Sequence, residues 1–300
     1  MFQYSRKMNW NFFSYFPERT DRPSPSSRLS PIPDECSRSY IPIDIVTGDE
    51  ADMQRHIFGK SFADAEMSFS AFELAKVREL DGIWGDSGDP LAGTGLEETQ
   101  KLRFLQGCGW DVTKAAEGIR NFVEWKTSQP PTPNLAPDRS DPHTWLYFSG
   151  RDRCFRPIMI IDCLCLIEEK GESHSLTFVQ EAVVDAMNYF VDHLAVPGHV
   201  EQVIVIADLN GCSVWNAPIE EMEKCALTLT SRFRGRLNKL FLVNTPLVFY
   251  AFWSVIKVFI PERTLSKIFL IRYNHLEELS KYIDDDQIDP VLRQDITGSS

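Results

Sequence analysis

Side chains able to do chemistry are plentiful in this chain, but they are not grouped into a reaction centre. The six histidines, at 56, 143, 174, 193, 199 and 275, lack a metal-ligand spacing, and His193 with His199 reads as incidental. Ser213 is not framed by G-x-S-x-G, and no H-E-x-x-H, P-loop or G-x-G-x-x-G after a strand occurs. The carboxylates are scattered rather than paired for acid–base work. Seven cysteines, at 36, 108, 154, 163, 165, 212 and 225, are odd in number and lack a CxxC pair with zinc spacing. They read as buried free thiols of a reducing compartment, with Cys163 and Cys165 sharing one face of a strand. The expectation is a protein that is not an enzyme and uses no metal or cofactor.

What remains is local positive charge beside apolar runs. Arg232, Arg234, Arg236 and Lys239 precede an apolar stretch, and Lys257, Arg263 and Lys267 close it, in a chain of net charge −12. That acidic average argues against a nucleic-acid binder, which needs a basic face. A local patch can still orient a protein on an anionic membrane, at about 1 kcal/mol per charge. Between the two clusters, LFLVN is broken by Pro246, and the segment after it is apolar nearly all round except for a seam of Tyr250, Ser254 and Lys257 at i, i+4 and i+7. A helix of that kind must be buried in protein or in contact with lipid. Three readings fit it. A transmembrane helix has the length from Leu240 to Ile260, but Asn244, Pro246 and Lys257 interrupt it. An ordinary buried strand and helix of an α/β core is the plainest reading. The third is a strand followed by a helix that closes over an apolar ligand.

Hydrophobic periodicity supplies the elements around this stretch. From Phe62 to Thr127 apolar residues such as Phe69, Phe72, Leu74, Val77 and Leu80 recur near the helical period, GDSGDPLAGTG connects two segments, and Asp111 is placed to cap the helix running toward Trp125. After the Pro-rich break TSQPPTPNLAPDRSDP, strand-like WLYF at 145, IMIID at 158, VIVIAD at 203, LFLVN at 240 and IFLIR at 268 alternate with helical stretches over 177–194 and 218–233 and the segment 247–260. Nearly continuous apolar strands separated by helices predict a mainly parallel sheet covered on both faces. The expected division is a disordered tail over 1–60, a helical domain over 61–128, a linker over 129–142 and an α/β domain over 143–300. In the tail, PERTDRPSPSSRLSPIP cannot bury enough apolar surface to offset its ordering entropy. Trp10, Phe12, Phe13, Tyr15 and Phe16, beside Arg6 and Lys7, suit a membrane interface or a docking partner. The N-terminus lacks the uninterrupted apolar stretch of a secretion signal, so a cytoplasmic protein is expected.

RGRLNKLFLVNTP and FWSVIKVFIPERTLSKIFLI resemble the most recognisable segment of the CRAL-TRIO or Sec14-like lipid-binding family, a P-E-R-x-x-K-x-x-x-x-N-x-P block, an aromatic gate helix and K-P-F-L-x-x-x-T-x-x-K-I. Arg236, Lys239, Asn244, Pro246, Trp253, Lys257, Phe259, Thr264, Lys267 and Ile268 stand in the matching places. LRFLQGCGWDVTKA is similar to the family's helical lead-in through Leu102, Arg103, Phe104, Leu105, Gly109, Trp110, Asp111, Val112, Lys114 and Ala115. SGRDRCFRPIMII resembles the strand word G-x-D-x-x-G-R-P-V through Gly150, Asp152, Arg156 and Pro157, with Phe155 where the family has Gly. VIVIADLNGCS resembles D-x-x-G-x-S through Asp208, Gly211 and Ser213, and Asp208 is read as a strand-end turn residue. The C-terminal segment resembles the family's closing segment through Pro290 and Gly298.

The resemblance implies a small helical domain followed by an α/β domain that encloses a lipid cavity. Its expected work is to bind one hydrophobic lipid and transfer it between membranes, or else to sense lipid or dock on a partner without moving cargo. A closed cavity removes most of a transfer barrier that reaches roughly 12 kcal/mol for a sixteen-carbon chain. The ligand-side residues are Lys267, Arg236, Tyr250, Phe249, Trp253, Ile256, Val203, Val205 and Asp208; those of the gate and membrane contact are Leu247, Val248, Phe252, Val255, Phe259, Ile260 and Lys257. In the family's phosphatidylinositol carriers a Lys, a Glu and strand hydroxyls address the head group. Here the Lys is Lys267, but the Glu position is Gly235 and the hydroxyl positions are Val203 and Val205, so another phospholipid, a sterol or an isoprenoid is the better expectation. The partners implied are a phospholipid or other hydrophobic ligand and a transient membrane surface, with no nucleic acid, for a cytoplasmic, peripherally membrane-associated monomer.

Overall fold

Three amphipathic runs open the described part of the chain. The computed structural model describes residues 71–85, 88–92, 97–129, 144–170, 178–195, 200–211, 219–260 and 262–293, and the runs form α1 (Ala71–Trp84), α2 (Glu97–Gly107) and α3 (Val112–Ser128). Their apolar stripes meet in one core of Leu80, Trp84, Phe104, Leu105, Ala115 and Ile119. Asp111 caps α3 as its position predicts, its carboxylate accepting from the Lys114 N–H at 3.0 Å. The tail with its aromatic cluster, Phe69, the linker over 130–142, Cys36, Cys212, Ser213, His56, His143, His174, His199 and Gly298 lie outside the described residues.

The five apolar runs become β1 (Leu146–Arg151), β2 (Pro157–Asp162), β3 (Val203–Asp208), β4 (Leu237–Val243) and β5 (Ile268–Leu270), in one sheet of order β1-β2-β3-β4-β5. β1 and β2 are an antiparallel hairpin, and β2 to β5 are parallel. Parallel neighbours need crossovers, and helices supply them. α4 (Cys163–Lys170) and α5 (Phe178–Tyr189, continued by a π-helical turn over Phe190–Leu194) join β2 to β3; α6 (Ile219–Arg232) joins β3 to β4; α7 (Leu247–Ile256) and α8 (Glu262–Leu265) join β4 to β5. α9 (His275–Leu279) and two short 3₁₀ turns end the described chain.

Side-chain alternation splits the sheet into two faces. Ile158, Ile160, Ile204, Ile206, Phe241 and Val243 pack under the C-terminal segment through Leu279, Ile283, Ile288 and Leu292. Met159, Val203 and Val205 face the opposite way, toward Val183 and Met187 of α5. β4 changes parity once. Val203 pairs with Leu237 and Ile204 with Lys239, so Asn238 is an extra residue in the ladder. That bulge puts Leu237 on the same side as Leu240 and Leu242.

Two sequence expectations are corrected. Cys163 and Cys165 open α4 instead of lying on a strand, because the Asp162 carboxylate takes the Cys165 N–H at 3.0 Å and turns the chain into a helix. The segment 247–260 is not one helix: α7 ends at Ile256, a 3₁₀ turn covers Lys257–Phe259, and Ile260 is extended, as the residue before Pro261 prefers. The hairpin word also explains its own irregularity. Phe155 adopts φ 58° where the resembling motif has Gly, and Asp152 holds that turn by accepting from the N–H groups of Cys154 and Arg156 at 2.9 and 2.8 Å. Gly150 is obligatory beside it, since a Cβ there would stand 2.2 Å from the Gln287 carbonyl oxygen. No helix among the described residues is long and apolar enough to cross a membrane, which removes the transmembrane reading for 240–260.

Candidate functional site

Parallel strands buried on both faces project one row of aliphatic side chains toward the crossover helices, and here the helices do not fill the space. Met159 and Ile161 of β2, Val203, Val205 and Ala207 of β3, and Leu240 and Leu242 of β4 form the floor of a cavity of about 460 Å³. α5 and α6 wall it with Val183, Met187, Cys225 and Leu229, and α7 roofs it with Phe249, Trp253 and Ile256. Interiors normally close-pack, so a space of this size lined almost wholly by carbon is suited to an apolar guest.

α7 has two apolar sides, and only one is covered. Phe249, Phe252 and Ile256 are buried against the sheet, and Phe249 stacks on Trp253 with ring centroids 6.5 Å apart. On the other side Leu247, Val248 and Val255 are 62%, 53% and 53% exposed, and Val258 in the following turn is 70% exposed. The polar seam read from the sequence runs along that outer side: Tyr250, Ser254 and Lys257 are all exposed. Of the expected gate residues, Leu247, Val248, Val255 and Lys257 face outward, Phe252 is buried in the roof, Ile260 lines the cavity, and the Phe259 side chain lies outside the described residues.

The expected ligand-side residues divide in the same manner. Phe249, Trp253, Ile256, Val203, Val205 and Lys267 line the cavity, whereas Tyr250, Arg236 and Asp208 are not in its wall. Arg236 is buried and donates to the Glu201 carbonyl at 3.1 Å; burial and the neighbouring Arg103 push its guanidinium down to about 9. Asp208 accepts from the Asn210 N–H at 2.9 Å and from Asn244 Nδ2 at 2.8 Å, tying the ends of β3 and β4 together, as a strand-end turn residue does. Lys267 Nζ donates to the Leu237 carbonyl at 2.8 Å.

Site selection from the sequence omitted a polar end of the cavity. Arg103 and Gln106 of α2, Thr230 of α6, Arg234 in the turn before β4 and Thr264 of α8 stand in the wall with Lys267. The α2 pair could not be found by local pattern, because α2 is more than a hundred residues from the gate and reaches the sheet only through the tertiary fold. The contacts that bring it there are the buried Arg103–Glu201 ion pair, Arg232 Nη1 donating to the Asn121 carbonyl at 2.7 Å, and the edge-on pair of Trp125 with Phe233 at 5.7 Å.

This architecture has known relatives. The model of the CRAL/TRIO domain matches residues 143–291. Protein real-time of Anopheles gambiae is 23% identical over 208 residues, covering 64% of this chain and 30% of its own length. SEC14 cytosolic factor of Candida glabrata is 24% identical over 206 residues, covering 63% of this chain and 67% of its own. The chain spans about a third of the length of the real-time proteins it matches, between 30% and 40%. The crystal structure of Sfh5 superposes with a TM-score of 0.56 at 13% identity, covering 85% of this chain and 94% of that one, which is a likeness of fold. With the parallel sheet, the roofed cavity and the matching words in one place, residues 143–291 of this chain are a CRAL/TRIO domain of the Sec14-like kind.

Proposed function

We propose that this chain holds a single hydrophobic lipid in the cavity beneath α7 and transfers or presents it between membranes, as a carrier rather than an enzyme. The observation that supports this reading is the construction of α7, which offers aromatic side chains to an apolar cavity of about 460 Å³ and aliphatic ones to the outside. A roof of that kind can part from the sheet at a bilayer without exposing further apolar surface to water, because its outer side already carries exposed aliphatic side chains beside its polar seam and its inner side then meets lipid. Lys257 at its end adds exposed positive charge to an acidic chain, which suits a transient contact with anionic lipid. The same reading makes the protein cytoplasmic and peripherally bound, with no partner required beyond the lipid and the membrane.

Native mass spectrometry of the purified chain, with lipid extraction, tests the cavity. One lipid per chain is the expected result, and an empty protein that takes up no fluorescent lipid from vesicles overturns it. Exchange of a labelled lipid between donor and acceptor vesicles then tests transfer. Uptake without exchange would assign the chain to lipid sensing instead.

A further inference from the structure

The chemistry of the cavity's polar end narrows the cargo, an inference that rests on reading the cavity as a lipid site. A space of about 460 Å³ lined mostly by aliphatic side chains takes hydrocarbon.

The end of this cavity is cationic, and its most telling member is Arg234. The side chain lines the cavity, its guanidinium carbon lies 5.1 Å from the centre of the Phe104 ring, and its Nε is buried without a hydrogen-bond partner among the described residues. No carboxylate among those residues forms an ion pair with it. Gly107 leaves room for the group: a Cβ there would stand 2.8 Å from Arg234 Nη1. Lys267 brings a second cation to the same wall, its Nζ held at the Leu237 carbonyl three residues along from Arg234. Arg234 is half-buried, and a guanidinium beside an apolar space gains more from an anionic head than from a neutral one. Its planar fork matches a carboxylate in two parallel hydrogen bonds.

We propose that the cargo is an amphiphile with a small anionic head, a long-chain carboxylate, and that Arg234 with Lys267 recognises the head. The tail lies along Val203, Val205 and Leu240 under α7, and the carboxylate ends between the two cations. Phe104 positions the guanidinium without neutralising it.

The test titrates the delipidated full chain with parinaric acid, a fluorescent long-chain carboxylate, and with its methyl ester. The acid is expected to bind wild type at least about tenfold tighter than the ester. In Arg234→Gln that preference falls to about threefold or less with the ester's affinity unchanged, and Arg234→Lys retains part of it. Equal binding of acid and ester to wild type, or a preference that survives in a folded Arg234→Gln, overturns the anionic head while leaving the cavity reading intact. Displacement of the acid by stoichiometric phosphatidylinositol overturns the carboxylate cargo. Uptake of neither probe overturns this proposal together with the lipid-site reading on which it rests. Should Arg234→Gln fail to fold, competition of palmitate against hexadecanol on wild type decides the head group: a tenfold advantage for palmitate supports it, and equal competition overturns it.

Discussion

Arg103 and Glu201, 98 residues apart in the chain, form an ion pair buried on both sides, with Arg103 Nη2 donating to Glu201 Oε2. One partner belongs to the helical bundle and the other to the segment leading into β3, so the pair fastens the bundle to the sheet. Arg236 also lies against Glu201, donating to its backbone carbonyl, so two buried guanidinium groups meet this residue, one on its carboxylate and one on its backbone. Glu201→Gln should lower the unfolding free energy by about 3 kcal/mol, because removing one partner leaves buried charge without compensation. Urea unfolding followed by tryptophan fluorescence measures this, and a loss under about 1 kcal/mol would mean that other groups carry the charge.

The two sides of α7 should separate lipid holding from membrane contact. Trp253→Asp puts a carboxylate into the cavity and is expected to weaken lipid uptake by about tenfold or more. Val255→Asp, on the exposed side, should leave uptake within about twofold and slow exchange with anionic vesicles several-fold. Equal effects of the two substitutions on uptake would show that α7 acts as one packed unit and not as a roof with a separate outer surface.

Gly235 sits at φ 68°, in the left-handed region, at the position where the family's phosphatidylinositol carriers have Glu. Gly235→Glu should destabilise the fold by about 1 kcal/mol, since a side chain is strained in that conformation. It should also fail to create binding of phosphatidylinositol, because Val203 and Val205 leave the inositol hydroxyls without partners. Thermal melting and a vesicle-uptake assay with that lipid test both parts.

Burial raises the Cys108 thiol above its ordinary value, and the Arg234 charge pulls it partly back down. The thiolate fraction at pH 8 is therefore smaller than that of a free cysteine, and alkylation of Cys108, followed residue by residue with mass spectrometry, should be slow and should accelerate only at higher pH. Arg234→Gln removes the opposing cation, so it should shift that acceleration to still higher pH. An unchanged profile in the variant would place the guanidinium away from Cys108.

Much of this fold was legible in the chain because its causes are local. Period-two and continuous apolar runs predicted all five strands, Asp111 announced the start of α3 by its capping chemistry, and Arg236, Asn244 and Lys267 held recognisable spacings across a single crossover. The errors were local conflicts of the same kind. Cys163 and Cys165 follow an apolar strand run, and only the capture of the Cys165 N–H by Asp162 shows that the strand has ended. The 247–260 segment is apolar apart from its polar seam, and the position of Pro261 sets its end more strongly than its hydrophobicity does.

By itself, then, the amino-acid sequence determined the elements, the covered parallel sheet and a roof helix apolar nearly all round but for one polar seam, since propensity, capping and periodicity act over a few residues. The tertiary structure alone decided which residues surround the empty space. The bulge at Asn238 turns Leu237 toward the cavity, Arg236 and Asp208 are drawn away into polar contacts of their own, and α2 brings Arg103 and Gln106 to a wall that also holds Arg234. A cavity is what packing leaves unfilled among side chains from distant segments, and no single stretch of sequence carries that difference.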